Sequence, residues 1–455
     1  MNIDNLTQYM KGALAGVRVI DSTTMVAMPT GTHILGDMGA EIIKVETHTM
    51  FRTEAARLMY ADNQPGKQPW NRDGSFNSLQ RSKLGITLNL KTDEGKDAFR
   101  ELVQISDILV ENNRAGTMDR LELGYEAMRQ IRPDLIYVSN TGFGHTGPWR
   151  RYAGIGRMFE LTCGLSHFTG YPDEGPRRVG KAFFDLHVGW MSVFAILAAL
   201  QHRHETGNGQ WLDFAMYQVG VSTMGDVILD FLINGRPGGL MGNSHPSRAP
   251  HGVYPCKGED EWLAIDIQTE RQWRDLIDIF GNPPWSKSDL FSSEIARKQN
   301  EQMLTNHINC LTSSWHTKTL YHLLQQAGIP AAPVMNSRDV VTDPHLRERG
   351  FFEVVEHPLE SGIGKRSYFG RPWKMSKTPA HIRLPAPMLG EHNEKIMREL
   401  LGRSQSEINR LYEEHVMGKE LLEPPTFSPP SYQNQLDDGS LAAVDSDYSK
   451  HMGIL

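Results

Sequence analysis

Cysteine is scarce in this sequence: Cys163, Cys256 and Cys310 are odd in number, far apart and form no C-x-x-C. That spacing offers neither a disulfide framework nor a zinc site, and it fits a reducing compartment. A long apolar run is missing as well. The most apolar stretch, Trp190 to Leu200, falls far short of a bilayer span, and Met1-Asn2-Ile3-Asp4 does not open a basic segment followed by an apolar one. The expected location is the cytoplasm, with no membrane partner. Positive charge is not in excess either. Against 54 Asp and Glu stand 47 Lys and Arg, a net charge of −7, which argues against nucleic acid as the main partner and still permits a local basic pocket. No internal repeat is visible.

What is present is an ordinary globular composition, 39% hydrophobic and 22% charged over 455 residues, enough for two or three packed domains. The first part alternates β-branched runs with helical stretches. Residues 17–20, 41–45, 85–90, 108–110 and 135–139 read as strands, and 31–38 and 93–103 as helices. This pattern predicts an α/β fold with a doubly wound parallel sheet over residues 1–225. The run Gly142-Phe143-Gly144-His145-Thr146-Gly147 matches G-x-G-x-x-G after a strand, yet Pro148-Trp149-Arg150-Arg151 starts no clear helix and no strand-end acid follows, so a nicotinamide site is rejected. Beyond 225–245 the character changes. Residues 245–330 read as a small α+β domain, 331–425 as a Pro- and Gly-rich linker and return, and 426–455 as a loose, flexible arm with little to bury.

The chain is organised around Asp185, in Phe183-Phe184-Asp185-Leu186-His187-Val188-Gly189, where an apolar helix begins that ends at Thr206-Gly207-Asn208-Gly209-Gln210. Two readings of this carboxylate stand side by side. As structure, Asp is a favoured N-cap for the first turn. As chemistry, a carboxylate at the positive end of a helix dipole stays ionised when partly buried, which a carboxylate nucleophile requires.

The motifs decide between them by resemblance. Leu14-Ala15-Gly16-Val17-Arg18-Val19-Ile20-Asp21, Gly39-Ala40-Glu41-Ile42-Ile43-Lys44-Val45-Glu46, Ser106-Asp107-Ile108-Leu109-Val110-Glu111-Asn112, the 142–148 run, Thr206 to Gln210, Ala327-Gly328-Ile329-Pro330 with Asp343-Pro344, and Leu389-Gly390-Glu391-His392 follow in order. Together they resemble the family III CoA-transferases, relatives of the α-methylacyl-CoA racemases. The resemblance implies a Rossmann-like large domain built from both chain ends and an interlocked ring-shaped dimer, as a homodimer or as a heteromer with a related subunit. It also implies CoA as acyl-CoA co-substrate, with no metal and no nicotinamide, and Asp185 as the covalent carrier passing through aspartyl anhydrides and an enzyme–CoA thioester.

For CoA, the resemblance points to Val26 and Ala27 after the first strand, Lys83 before the third, and Asn112, Asn113 and Arg120 after the fourth. Lys83 and Arg120 are the cations expected to meet phosphate. There are departures: Met28-Pro29 replaces a Gly-Pro, Asn113 stands where an aromatic is common, and Thr47 where an arginine often stacks on adenine. Gly242 and Asn243, in the loop to Pro246, are the candidate cover, with a plain linker as the other reading. Arg157, near Met158, Phe159, Phe183 and Phe184, is the candidate reader of a second carboxylate, suiting succinate or an aromatic succinate; the alternative is an ion pair with Glu160. A racemase would need a His-Asp pair where this sequence has Ile155-Gly156. A non-catalytic acyl-CoA-binding subunit is the remaining alternative.

Overall fold

Strand β1 (Arg18–Ser22) lies inside a six-stranded sheet, between β2 (Glu41–Glu46) and β3 (Leu84–Thr87) on one side and β4 (Ile108–Glu111), β5 (Ile136–Thr141) and β6 (Gln210–Ala215) on the other. Every pairing is parallel. The structure is a computed structural model that describes residues 12–50, 59–180, 182–424 and 429–454.

The helices that matter for the site are α1 (Ala27–Asp37), α2 (Asp93–Gln104), α3 (Thr117–Arg120), α4 (Tyr125–Ile131), α5 (Gly156–Thr162), α6 (Phe183–Thr206) and α7 (Met216–Ser222). Their apolar stripes cover the sheet on both faces, which is why β3, β4 and β5 are buried at every position. On one face Phe99, Leu102 and Val103 of α2 and Met128 of α4 pack with Ile20, Ile43 and Leu109. On the other, Ile34 and Leu35 of α1 and Val193, Ile196 and Ala199 of α6 pack with Val19, Ile42, Val110 and Val138. Helix α6 has 24 residues and is long and apolar enough to cross a bilayer, longer than the run seen in the sequence, but this face of it lies on the sheet.

Two compact units divide the chain: residues 1–164, 180–225 and 341–455 form one, and 165–179 with 226–340 the other. In the first, the returning chain is pinned to β3, with Asn393 Oδ1 accepting the Thr87 N–H at 2.8 Å and His392 Nδ1 the Gly85 N–H at 3.1 Å. A hairpin of β10 (Phe352–Glu356) and β11 (Lys365–Phe369) precedes it. The expected loose arm is exposed yet tied. It carries helices at Tyr432–Asp437 and Tyr448–His451, Asn63 Nδ2 donates to Pro430 O at 3.0 Å, and Tyr448 OH donates to Asp62. The second unit is an antiparallel sheet of β7 (His251–Pro255), β8 (Trp262–Asp266) and β9 (Ala331–Pro333), whose helices share the core of Leu263, Ile265, Leu276, Ile308 and Leu324. Residues 165–179, closed on themselves by the Arg177 N–H donating to Thr169 O at 2.7 Å, join it through the Gly242 N–H donating to Gly170 O at 3.0 Å.

Two fully buried carboxylates fasten the first unit. Asp21 accepts from Thr23, from Thr32 Oγ1 at 2.7 Å and from Lys83 Nζ at 2.7 Å. Asp37 accepts from Ser82 Oγ at 2.6 Å and Arg371 at 3.0 Å. Burial by itself raises both carboxyls, but Lys83 and Lys44 hold Asp21 down at about 2, and His33, Arg81 and Arg371 do the same for Asp37. Both folded values lie below the unfolded value of about 3.9. Their stabilisation is therefore complete above pH about 4 and is lost as pH falls through about 2, at about 2–3 kcal/mol per carboxylate. Urea midpoints measured down to pH about 2.5 should fall accordingly, and Asp37→Asn should flatten the slope; an acid-insensitive wild type would contradict this account.

Candidate active site

Asp185 is the third residue of α6, not its N-cap. Ala182 holds the cap position and makes no side-chain capping bond, so the structural reading of Asp185 as the cap is corrected. The first turn still presents free N–H groups and the positive end of the dipole to this carboxylate. Its place is fixed by glycines. A Cβ added at Gly156, the first residue of α5, would sit 2.3 Å from Asp185 Oδ2 and 2.5 Å from Oδ1, so the half-buried carboxyl lies directly on that glycine's Cα. One turn along α6, a Cβ at Gly189 would sit 2.5 Å from Ala27 O, and on α1 a Cβ at Gly31 would sit 2.4 Å from Ser192 Oγ. Residues 185, 189 and 192 share one helical face by their i, i+4, i+7 spacing, so Asp185 is directed toward the start of α1.

The structure collects some of the expected residues there and assigns others to internal work. Val26 is the cap of α1 and Ala27 its first residue; both are buried, and Val26 O accepts the Thr30 N–H at 3.0 Å and its hydroxyl at 2.7 Å. Asn112 binds the loop after β1, its amide exchanging two 2.8 Å bonds with the backbone of Thr24. Asn113 turns inward and donates its N–H and Nδ2 to Glu111 Oε2 at 2.7 and 3.2 Å. Thr47 bonds Thr49 through its hydroxyl at 2.9 Å.

Lys83 requires a correction. Its ammonium is completely buried and donates to Asp21 Oδ2 at 2.7 Å, Gln80 Oε1 at 2.6 Å and Thr32 Oγ1 at 2.8 Å, which leaves no proton for a phosphate. Burial lowers its pKa, against the pull of Asp21, to about 8. Arg120 is the contrasting case: it ends α3, is exposed, and makes one 3.1 Å bond to Thr117 Oγ1.

Arg157, second in α5 and next to the glycine under Asp185, is exposed, and it forms no ion pair with Glu160 among the described residues. Glu160 itself is buried, pointing away from solvent that Arg157 keeps. Phe159 and Phe184 are 1% and 2% exposed and belong to a small core with Ala27 and Val188, so they cannot line a substrate site as expected; Phe183 and Met158 are open. Gly142 and Gly154 are glycines because the Phe159 ring fills the space of their side chains, at 2.3 Å from each added Cβ. After Gly147 no helix starts until α5, so the G-x-G-x-x-G run leads into a turn. Gly242 and Asn243 lie in the second unit, where Asn243 Nδ2 donates to Tyr171 OH at 2.8 Å beside a cavity of about 490 Å³.

Sequence reasoning missed Gly156, Gly189 and Gly31 as positioning residues. A small residue one turn beyond a polar one, as in Asp185-x-x-x-Gly189, was the available signal. The resulting arrangement is a carboxylate in a first helical turn, braced from behind by backbone and without a histidine or second acid supplied by 155–156. A carboxylate so placed is suited to attack a carbonyl carbon.

Residues 14–393 match CoA-transferase family III. The chain is 32% identical over 395 residues to a succinate–glutarate CoA-transferase of Agrobacterium fabrum, covering 86% of this chain and 96% of that one. It is 33% identical over 394 residues to a succinyl-CoA:mesaconate CoA-transferase of Haloarcula marismortui, covering 85% and 96%. A crystal structure of a CAIB/BAIF family protein from Brucella suis superposes with a TM-score of 0.77 at 31% identity, over 86% of this chain and all of that one.

The two cations should separate on mutation. Lys83→Met leaves the buried Asp21 with only the more distant Lys44, 4.0 Å away, and should cost about 3–5 kcal/mol of stability. Arg120→Met should leave stability within about 0.5 kcal/mol and raise the KM for an acyl-CoA donor. Equal unfolding midpoints for the two variants would refute the division.

Proposed function

The chain belongs to CoA-transferase family III, and we propose that it moves CoA between two dicarboxylates with Asp185 as the covalent carrier. The observation that carries the reading is the Asp185 carboxyl seated on the Cα of Gly156 with the exposed Arg157 next in sequence. A carboxylate Oδ attacks the thioester carbonyl of the donor, the C–S bond breaks, and CoA leaves as thiolate, giving a mixed anhydride. The thiolate then attacks the aspartyl carbonyl, releasing the donor acid and leaving an enzyme–CoA thioester. The acceptor carboxylate repeats the sequence in reverse, and Asp185 returns as a free carboxylate. One thioester replaces another, so the exchange needs no ATP. Water has to be excluded, because it would hydrolyse the anhydrides.

Arg157 supplies the dicarboxylate preference in this reading. Its planar guanidinium holds the acid that does not react, while the other end faces Asp185. The relatives named for succinate, glutarate and mesaconate support the class. Phe183 and Met158 are the apolar side chains left to meet a larger acid, which makes a compact aliphatic dicarboxylate the better fit than an aromatic one.

An interlocked dimer of ring-shaped chains is part of the proposal, homomeric or with a related subunit. Apolar surface supports it: Phe194 of α6 is 71% exposed, and Leu232 and Ile233 of the helix Gly225–Asn234 are 71% and 75% exposed. Light scattering should give a dimer that does not dissociate on dilution. For the acid, Arg157→Met should raise KM for a dicarboxylate acceptor by about 1.5–3 kcal/mol equivalent while sparing a monocarboxylate of similar bulk. Equal loss for both, or none, would show that Arg157 does not read the substrate.

A further inference from the structure

A second cavity of the first unit lies away from Asp185. It encloses about 230 Å³ and is lined by Glu111, Arg114, Asp119, Tyr125, His145 and Trp211, with Tyr137 and Met118 behind them. Tyr137 and Met118 belong to the core on the α2–α4 face of the sheet, whereas Val193, Ile196 and Ala199 of α6 pack on the opposite face. Asn113 and Arg120, candidate CoA residues, belong to the same segment as this lining, but neither lines the cavity itself.

Its floor is a buried acid with work left to do. Glu111 is 2% exposed, and its Oε2 accepts both bonds from Asn113, at 2.7 and 3.2 Å. Its Oε1 has no hydrogen-bond or ion-pair partner among the described residues. Burial raises the Glu111 pKa to about 7 against the Asn113 bonds, and the charges of Asp119 and Asp213 push the same way. Buried acids are normally paired, yet no cation stands within ion-pair distance of Glu111 among the described residues: Arg114, which lines the same cavity, gives its Nη2 to Arg151 O at 2.6 Å.

The walls state what shape a cation there takes. Trp211, 38% exposed on the edge strand β6, stacks with Tyr125 at 5.7 Å and 22°, and the His145 ring meets Trp211 edge-on at 5.1 Å. The Arg129 guanidinium already lies over the other aromatic, 5.7 Å from the Tyr125 centroid, and is held by Glu126 at 2.8 Å. Aromatic faces beside an unpaired acid favour a flat cation, which gains both the ring quadrupole and the ion pair. The volume corresponds to roughly eight waters at about 30 Å³ each, close to that of a small amidine.

We propose that this cavity binds a small flat organic cation, a guanidinium or amidinium, seated against Tyr125 and Trp211 and paired with Glu111. Because Glu111 also holds the N–H and amide of Asn113, an occupant there acts on the loop that follows β4.

The test is calorimetric titration of the full chain with benzamidinium, with neutral benzamide as the isosteric control. Wild type should bind benzamidinium saturably at one site, and benzamide should be at least about tenfold weaker. Glu111→Gln should lose about tenfold or more, and Trp211→Leu several-fold, with folding checked by circular dichroism. Asp119→Asn, an exposed substitution that does not threaten the fold, should lose a few-fold on the same titration. Asp185→Asn should bind as wild type does. No saturation by about ten millimolar, equal binding of benzamide, or wild-type affinity in Glu111→Gln would each overturn the proposal. Loss of binding in Asp185→Asn would assign the cation to the transfer site and overturn it as a separate one.

Discussion

The contact on which the structure depends is the crossing of α1 and α6, where a glycine on each helix lets the two approach closely. Gly189 lies against the carbonyl of Ala27, and Gly31 against the hydroxyl of Ser192. Each missing Cβ lets the helices approach more closely than an alanine would, and an added methyl in such a packed crossing forces shifts that typically cost about 1–3 kcal/mol. That closeness has a functional result. It brings the first turn of α6 to the chain that leaves β1, so the carboxyl of Asp185 and the buried Val26-Ala27 segment are set by the same contact. Gly156 closes the arrangement from the other side.

A second constraint separates charges that hold the fold from charges that can work. Asp21, Asp37, Lys44 and Lys83 are at most 3% exposed and satisfy one another or nearby hydroxyls and carbonyls. Removing one member of such a set is costly because its partner stays behind, desolvated. Arg120 and Arg157 are exposed and carry few internal bonds, so a ligand can recruit them without breaking the interior. The same logic makes Glu111 conspicuous: it is buried like the first group and incompletely paired like the second.

The central sheet was legible in the sequence because β1, β2, β4 and β5 are short β-branched runs covered on both faces, and such runs stand out as continuous apolar segments. Strand β6 was not. As an edge strand it alternates, with Trp211 and Asp213 open and Leu212 and Phe214 half-buried, and it merged into the apolar stretch that follows. The start of α1 was placed at Gly31 instead of Ala27; Pro29 sits in the first turn, where proline is tolerated. Within the site, Asp185 and the loop after β1 were legible from motif order. Lys83 was not, since a lysine before a strand reads the same whether it ends in solvent or on a buried aspartate. Gly156 could not be read as a brace for Asp185, because the residues are far apart in sequence and only the fold brings them together.

The covalent role of Asp185 is the claim most directly open to measurement. The enzyme incubated with succinyl-CoA and no acceptor, then treated with hydroxylamine and digested, can be followed by mass spectrometry of the peptide that contains Asp185. The account predicts a hydroxamate at Asp185 that forms only when the donor is present. An unmodified Asp185 in a preparation that transfers CoA, or a hydroxamate at another acid, would contradict it.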